Sequence, residues 1–256
     1  QEIRIFTELK ELKKFGWTVQ LWAPAESEVY RRARAGNIDV EPVRFRGIFD
    51  LPSLYAIRKN VRLVRPDILV THSSIDSWVA GLATRLLSRR PRMVRTRHLS
   101  TPIQNFLPYR WFPDAICTTS ADIRDALVKN GISEKKVVAI STGVDLSRFR
   151  PCPDKRSEMR KKFGLPADRP LVGGVFVIRS WKGIYDFVKI VLAVPHAHFV
   201  VAGVGPSKDA MEQAAGRLGV DRRMTFLGHV ECIEEIFWSL DVFLFPSTAN
   251  EGIPQA

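Results

Sequence analysis

Three short stretches hold the residues best suited to chemistry. In VIRSWKG, Arg179 and Lys182 follow an apolar run and precede a helical one. A guanidinium grips two oxygens at once and an ammonium acts as a point charge, so the pair forms a phosphate clamp. The start of the following helix adds free N–H groups and partial positive charge. Gly183 lets the backbone come close. The plainer reading is two solvated cations in a loop. In VVAGVGPSKDA, Gly203 and Gly205 give the first half of a GxGxxG fingerprint, but Lys208 stands where the third glycine belongs. An acidic residue about 20 positions on should end the next strand, and that strand ends in LGHV instead, which argues against NAD. A tight strand-to-helix turn is the alternative. In PSTANEGIPQA, Glu251 and Gly252 follow the strand-like VFLFP. A carboxylate there accepts hydrogen bonds from sugar or ribose hydroxyls, or it is simply a surface Glu in a turn.

The first half offers two histidines, His72 in THSSIDSW and His98 in RTRHLS, each just past a predicted strand. Two on one sheet edge raise the odds of a functional role. Arg95 and Arg97 precede His98, and strand alternation sets both opposite Thr96. They would serve an anionic ligand or pair with helix carboxylates. DxD, HExxH, GxSxG and GxxxxGK[ST] are all missing from the sequence. That disfavours a metal-dependent nucleotide-sugar site, a zincin, an esterase and a P-loop enzyme. Cys117, Cys152 and Cys232 lie far apart with no zinc spacing, and read as thiols of a reducing compartment.

These residues need elements to hold them. The chain has 256 residues, 45% apolar and 26% charged, as a soluble globular protein has. No apolar run reaches the roughly 18 residues that span a bilayer. Apolar strand-like runs alternate with helical ones, from the helical segment ending at Gly16 through TVQLWAP, DILVTHS, RMVRTRH and AICTTS to KKVVAIST. In IDSWVAGLATRLLS, the spacing sets Trp78, Leu82 and Leu86 on one side. After GVDLSRFRPCPDK, rich in turn residues, the alternation restarts and runs to VFLFP. This pattern predicts βαβ units, parallel sheets covered on both faces and two α/β domains. The formal net charge of +12 is uneven. Residues 1–150 hold 26 Lys and Arg against 15 Asp and Glu, a net +11, and residues 151–256 hold 13 against 12. The basic half predicts an anionic partner: a membrane surface, an anionic acceptor or nucleic acid. No recognisable motif supports nucleic acid.

Five stretches in order, STGVDLSRF with RP, RSWKG, AGVGP, FLGHV and PSTANEGIP, resemble the retaining glycosyltransferases of family 4, which have the GT-B fold. THSSIDSW and RTRHLS are similar to the branch that assembles bacterial cell-surface saccharides of the lipopolysaccharide type. The resemblance implies two Rossmann-like domains facing a cleft: an acceptor domain over 1–148 and a nucleotide-sugar domain over 149–256, both incomplete. It implies a nucleoside diphosphate sugar as donor and a saccharide or glycolipid as acceptor. Arg179 and Lys182 would neutralise the departing diphosphate, so no metal or other cofactor is expected. Gly203, Gly205 and Gly252 would line the nucleotide, His98 would contact the donor sugar, and Glu251 would touch its hydroxyls as the first Glu of a Glu-x7-Glu motif. The expected place is the cytoplasm, peripherally on the inner face of the cytoplasmic membrane. The resemblance also implies a strand before Gln1 and a second Glu past Ala256. The expectation is therefore a piece of a longer enzyme with little or no turnover of its own. A GT-B epimerase, a phosphorylase and a non-catalytic sugar-nucleotide or membrane-binding module are the alternatives.

Overall fold

The computed structural model describes residues 2–98 and 101–248, apart from the side chain of residue 3. The chain divides into two compact units, one running to Thr142 and the other starting at Gly143. The division falls ahead of the 148/149 boundary read from the sequence, for a physical reason. Residues 143–150 are bound into the second unit: Arg148 pairs with Glu234 at 2.7 Å, and Trp238 Nε1 donates to the Arg150 carbonyl at 2.8 Å.

The first unit opens with α1 (Glu2–Lys14), β1 (Gln20–Ala23), α2 (Glu28–Ala35) and β2 (Asp39–Pro42). β1 and β2 pair in parallel, with Ile5, Ala23 and Val29 as their small core. Then follow α3 (Leu51–Val64), β3 (Ile68–Thr71), α4 (Ser74–Arg85), β4 (Arg92–Arg97), α5 (Leu107–Arg110), β5 (Ala115–Thr118), α6 (Ala121–Lys129) and β6 (Val137–Ala139). β3 to β6 form a parallel sheet in chain order. Short polar residues start the helices: Asp50, Ser73 and Ser120 each accept a backbone N–H from the first turn of α3, α4 and α6. The short helix α5 was not read from the sequence.

The face of α4 differs from the expected one. Leu82 and Leu86 are exposed, and the helix buries Ser77, Val79, Ala80, Gly81, Ala83 and Thr84. The reason is close approach. A Cβ on Gly81 would lie 2.3 Å from the Phe112 ring, and Phe112 in turn meets Trp78 edge-on at 5.2 Å. Small residues let the large ring in, so size decides the buried face here rather than hydrophobicity.

The second unit comprises α7 (Arg156–Lys162), β7 (Leu171–Val175), α8 (Ile184–Ala193), β8 (His198–Ala202), α9 (Lys208–Arg217), β9 (Met224–Gly228), α10 (Ile233–Ser239) and β10 (Val242–Phe243). All pairings are parallel, in the order β10-β7-β8-β9. Along β8, Phe199 and Val201 enter one core cluster while Val200 and Ala202 enter the other. Both faces of the sheet are therefore buried, which is why its strands read as continuous apolar runs.

The edge strand β10 pairs over only two residues with β7. A polar pin compensates. Asp241 accepts from the Leu171 backbone at 2.7 Å and from Arg160 at 2.6 Å, and the buried Arg160 also donates to the Ser239 carbonyl at 3.0 Å. These bonds and the basic partners hold the Asp241 carboxyl below the usual range, although burial pushes it up. Replacing Asp241 with Ala leaves a buried guanidinium without its partner. It is expected to cost about 2–4 kcal/mol, discounted for the carboxylate's partial exposure. Urea unfolding of the variant against the parent measures this.

Candidate functional site

In the second unit, β7 lies in the middle. The chain leaves it for β8 on one side and returns as β10 on the other. Counted from β7, the order is the 3-2-1-4 of the doubly wound fold, whose ligands bind where the strand order reverses, outside the strand ends. That point is between the loops after β7 and β10. Arg179 and Lys182 stand in the first of these, flanking the 3-10 turn Ser180–Lys182 that leads into α8. Leu244 to Thr248 form the second.

The two loops are bound together by backbone. Thr248 N donates to the Trp181 carbonyl at 3.1 Å, and Ser247 Oγ reaches the same oxygen at 3.3 Å. Gly183 has φ +71°, and a Cβ there would lie 2.0 Å from the Pro246 carbonyl oxygen. Only glycine combines that conformation with that approach. Gly183 also heads α8, whose N-terminus has no side-chain cap. Its first amides and their partial charge therefore face the rim. The Arg179 guanidinium is exposed and lies 5.1 Å over the Trp181 ring, and it makes no ion pair among the described residues. Lys182 Nζ lies 4.8 Å over the Phe245 ring. Aromatic faces thus help to position both cations.

Gly203 and Gly205 have a reason internal to the fold. With φ +140°, a Cβ on Gly203 would meet the Phe176 carbonyl oxygen at 1.9 Å, and one on Gly205 would meet that of Ile178 at 2.3 Å. The segment after β7 continues alongside β8 through Ile178 N to the Val204 carbonyl at 3.1 Å. The two glycines follow β8, whereas a dinucleotide fingerprint follows the first strand of the order, here β7. Close packing of the neighbouring loops by itself requires glycine at both positions. Glu251 and Gly252 lie outside the described residues.

In the first unit, β3 and β4 are parallel neighbours with Thr71 opposite Arg95, so His72 and His98 leave the same edge of the sheet, one just past each strand. Their rings stack with centroids 5.4 Å apart, and His72 Nδ1 lies 3.2 Å from His98 Nε2. Burial pushes His72 down to about 3, helped by the His98 ring and Arg4. Burial, Arg4 and Arg97 push His98 down to about 4. Both rings are neutral at pH 7, and one donates to the other. Asp76 ties the turn below them, accepting from His72 N at 2.9 Å and Ser73 N at 2.8 Å. It completes a capping box whose S-x-x-D spacing was visible in SSID but was not used. Arg95 is buried rather than displayed: 2% exposed, 3.5 Å over the Tyr109 ring, with Nη2 donating to Ser74 Oγ at 3.2 Å. Arg97 Nη2 donates to the Thr101 carbonyl at 2.6 Å.

Residues 1–148 match the model for "Glycosyltransferase Family 4", and residues 171–256 match that for "Glycosyl transferases group 1". The chain belongs to glycosyltransferase family 4. It is 28% identical over 229 residues to the Escherichia coli UDP-Gal:alpha-D-GlcNAc-diphosphoundecaprenol alpha-1,3-galactosyltransferase, covering 82% of this chain and 59% of that protein. It is 30% identical over 128 residues to the 2-deoxystreptamine glucosyltransferase of Streptomyces kanamyceticus, covering 47% of this chain and 33% of that one. The chain thus spans less than two thirds of these relatives. The crystal structure of Anabaena Alr3699/HepE in complex with UDP superposes with a TM-score of 0.86 at 18% identity, over 99% of this chain and 72% of that one. The fold is accordingly GT-B. Among the described residues, no helix is long and apolar enough to cross a membrane.

The histidine pair has a pH signature. A folded-state pKa below the usual 6.5 means that the unfolded chain binds more protons as pH falls. Stability from this source is full above pH 6.5 and is lost as pH drops toward 4, where protonation breaks the neutral pair. Asp76, raised by burial, works in the opposite sense near its own titration. The first unit's urea midpoint is therefore expected to fall between pH 6.5 and 4.5, and to fall less in a His72→Asn/His98→Asn variant. Equal slopes in the two proteins would sink this assignment.

Proposed function

We propose that the protein transfers a sugar, with retention, from a uridine diphosphate sugar to a saccharide or glycolipid acceptor of cell-envelope polysaccharide synthesis. The observation that carries the reading is the switch-point rim. Arg179, Lys182 and the uncapped start of α8 converge where the doubly wound order directs a ligand. A departing diphosphate gains charge in the transition state, and fixed cations there are usually the largest catalytic contribution. Arg179 and Lys182 hold the diphosphate oxygens with the α8 amides, so the reaction needs no metal. His98, neutral and oriented by His72, offers a ring N–H or lone pair to the donor sugar, and Glu251 accepts from its hydroxyls. Uridine is the first base to test, because relatives and neighbours carry UDP or a UDP-sugar in their names.

The acceptor reading rests on the basic first unit and on the E. coli relative, whose name specifies a diphosphate-linked lipid acceptor. Peripheral attachment to the inner membrane face fits one helix surface. On and beside α3, Phe49, Leu51, Tyr55 and Leu63 are exposed next to exposed Lys59 and Arg62. Apolar side chains enter the headgroup layer, and each nearby cation adds about 1 kcal/mol on anionic lipid.

Calorimetry against UDP, GDP and ADP tests the donor site. Lys182→Ala is expected to weaken UDP binding and, in the enzyme's transfer assay, to lower kcat by about 100-fold or more. UDP binding unchanged by that substitution ends the clamp assignment. Flotation with vesicles tests the surface: binding is expected with anionic lipid and is reduced by Leu51→Glu/Tyr55→Glu. Equal binding to neutral vesicles overturns it.

A further inference from the structure

Three buried donors of the first unit have no hydrogen-bond partner among the described residues: Arg95 Nη1, Arg97 Nε and the Tyr109 hydroxyl. They belong to one cluster. Arg95 and Arg97 lie two apart on β4, on the same side of the strand, and the Arg95 guanidinium rests on the Tyr109 ring. Buried polar groups in folded proteins are almost always satisfied, and buried charges are almost always paired. Arg95 is 2% exposed and Tyr109 is 1% exposed, yet neither guanidinium makes an ion pair among the described residues. Asp76 lies near enough for its charge to favour the charged guanidinium of Arg95, as does Tyr109, but Asp76 and Arg95 make no direct ion pair. The Asp76 carboxylate is occupied by the His72 and Ser73 amides. The start of α4 is closed by its own capping box, so the helix end is not the attractor. Two like charges side by side, each with an unused donor and joined by a phenol, form a positive surface rich in donors. Such a surface is complementary to an oxyanion with several acceptor lone pairs. Arg97 is half-buried and stands at the strand's C-terminal end, which is the direction of entry.

We propose that Arg95, Arg97 and Tyr109 form a phosphoryl-binding subsite in the first unit, separate from the Arg179/Lys182 clamp. Arg95 and Tyr109 form its buried part and the half-buried Arg97 its more accessible part. Its assignment to a phosphate carried by the acceptor rests on the transfer reading above; the binding of phosphate does not.

The test uses the Lys182→Ala chain, in which the other anion clamp is weakened, titrated by calorimetry with inorganic phosphate and then with a glycosyl phosphate. Saturable phosphate binding is expected. Adding Arg97→Gln should weaken it about tenfold or more, as loss of a charge-assisted bond does, and adding Tyr109→Phe should weaken it about threefold. Arg95 is left unaltered because it is part of the core, and thermal melts confirm that the variants fold. Absent saturable binding, or binding indifferent to Arg97→Gln, overturns the subsite and leaves buried water as the partner of these donors. Tighter binding of the glycosyl phosphate supports an acceptor phosphate, and equal binding of the two refutes that assignment. The donor reading is scored separately by UDP binding to the parent and to Lys182→Ala.

Discussion

The second unit depends on one contact, the Pro246 carbonyl lying against the bare α-carbon of Gly183. It brings the loop after β10 onto the start of α8, and so fixes both lips of the crevice where the strand order reverses. β10 could not do this alone, since it pairs with β7 over two residues. Asp241 and Arg160 hold the strand's beginning, and the carbonyl of Trp181 holds the loop's far end. Between these anchors the backbone has little freedom, and Arg179 and Lys182 inherit their positions from it. Preorganisation of that kind is what lets a cation stabilise developing charge without reorganising at the moment of reaction.

The first unit solves a different problem. It places titratable groups in apolar surroundings and keeps them there by mutual support. His72 and His98 stay neutral because a charge on either would be desolvated beside Arg4 and the other ring. Arg95 stays in place through Tyr109 and Ser74. A neutral histidine beside two arginines keeps the positive charge on groups that cannot lose it near neutral pH, and leaves the imidazole free to act through hydrogen bonds.

Much of the fold was legible from periodicity, because strands buried on both faces leave unbroken apolar runs and helices between them end at glycines such as Gly16 and Gly131. The candidate site was legible only as residue types at strand ends. Strand order was not, since nothing in VFLFP says which neighbour it joins. The Gly183–Pro246 contact was also hidden: a glycine records that space is short and not what fills it. Gly203 and Gly205 show the same limit: their spacing records close approach, and only the structure shows that the carbonyls of Phe176 and Ile178 supply it. The face of α4 was misread because Leu82 and Leu86 outrank alanine in hydrophobicity, while packing against Phe112 required small residues. His72 and His98 were each visible, but their 3.2 Å contact needed the register of β3 against β4.

Trp181 serves two purposes with separate parts of one residue. Its carbonyl accepts from Thr248 and Ser247, and its ring underlies Arg179. The architectural duty falls on the main chain, which every residue type carries alike, and the duty toward the cation falls on the side chain alone. Position 181 is therefore decoupled: its side chain can diversify among homologues, and retune the guanidinium above it, without slackening the loop that closes the crevice.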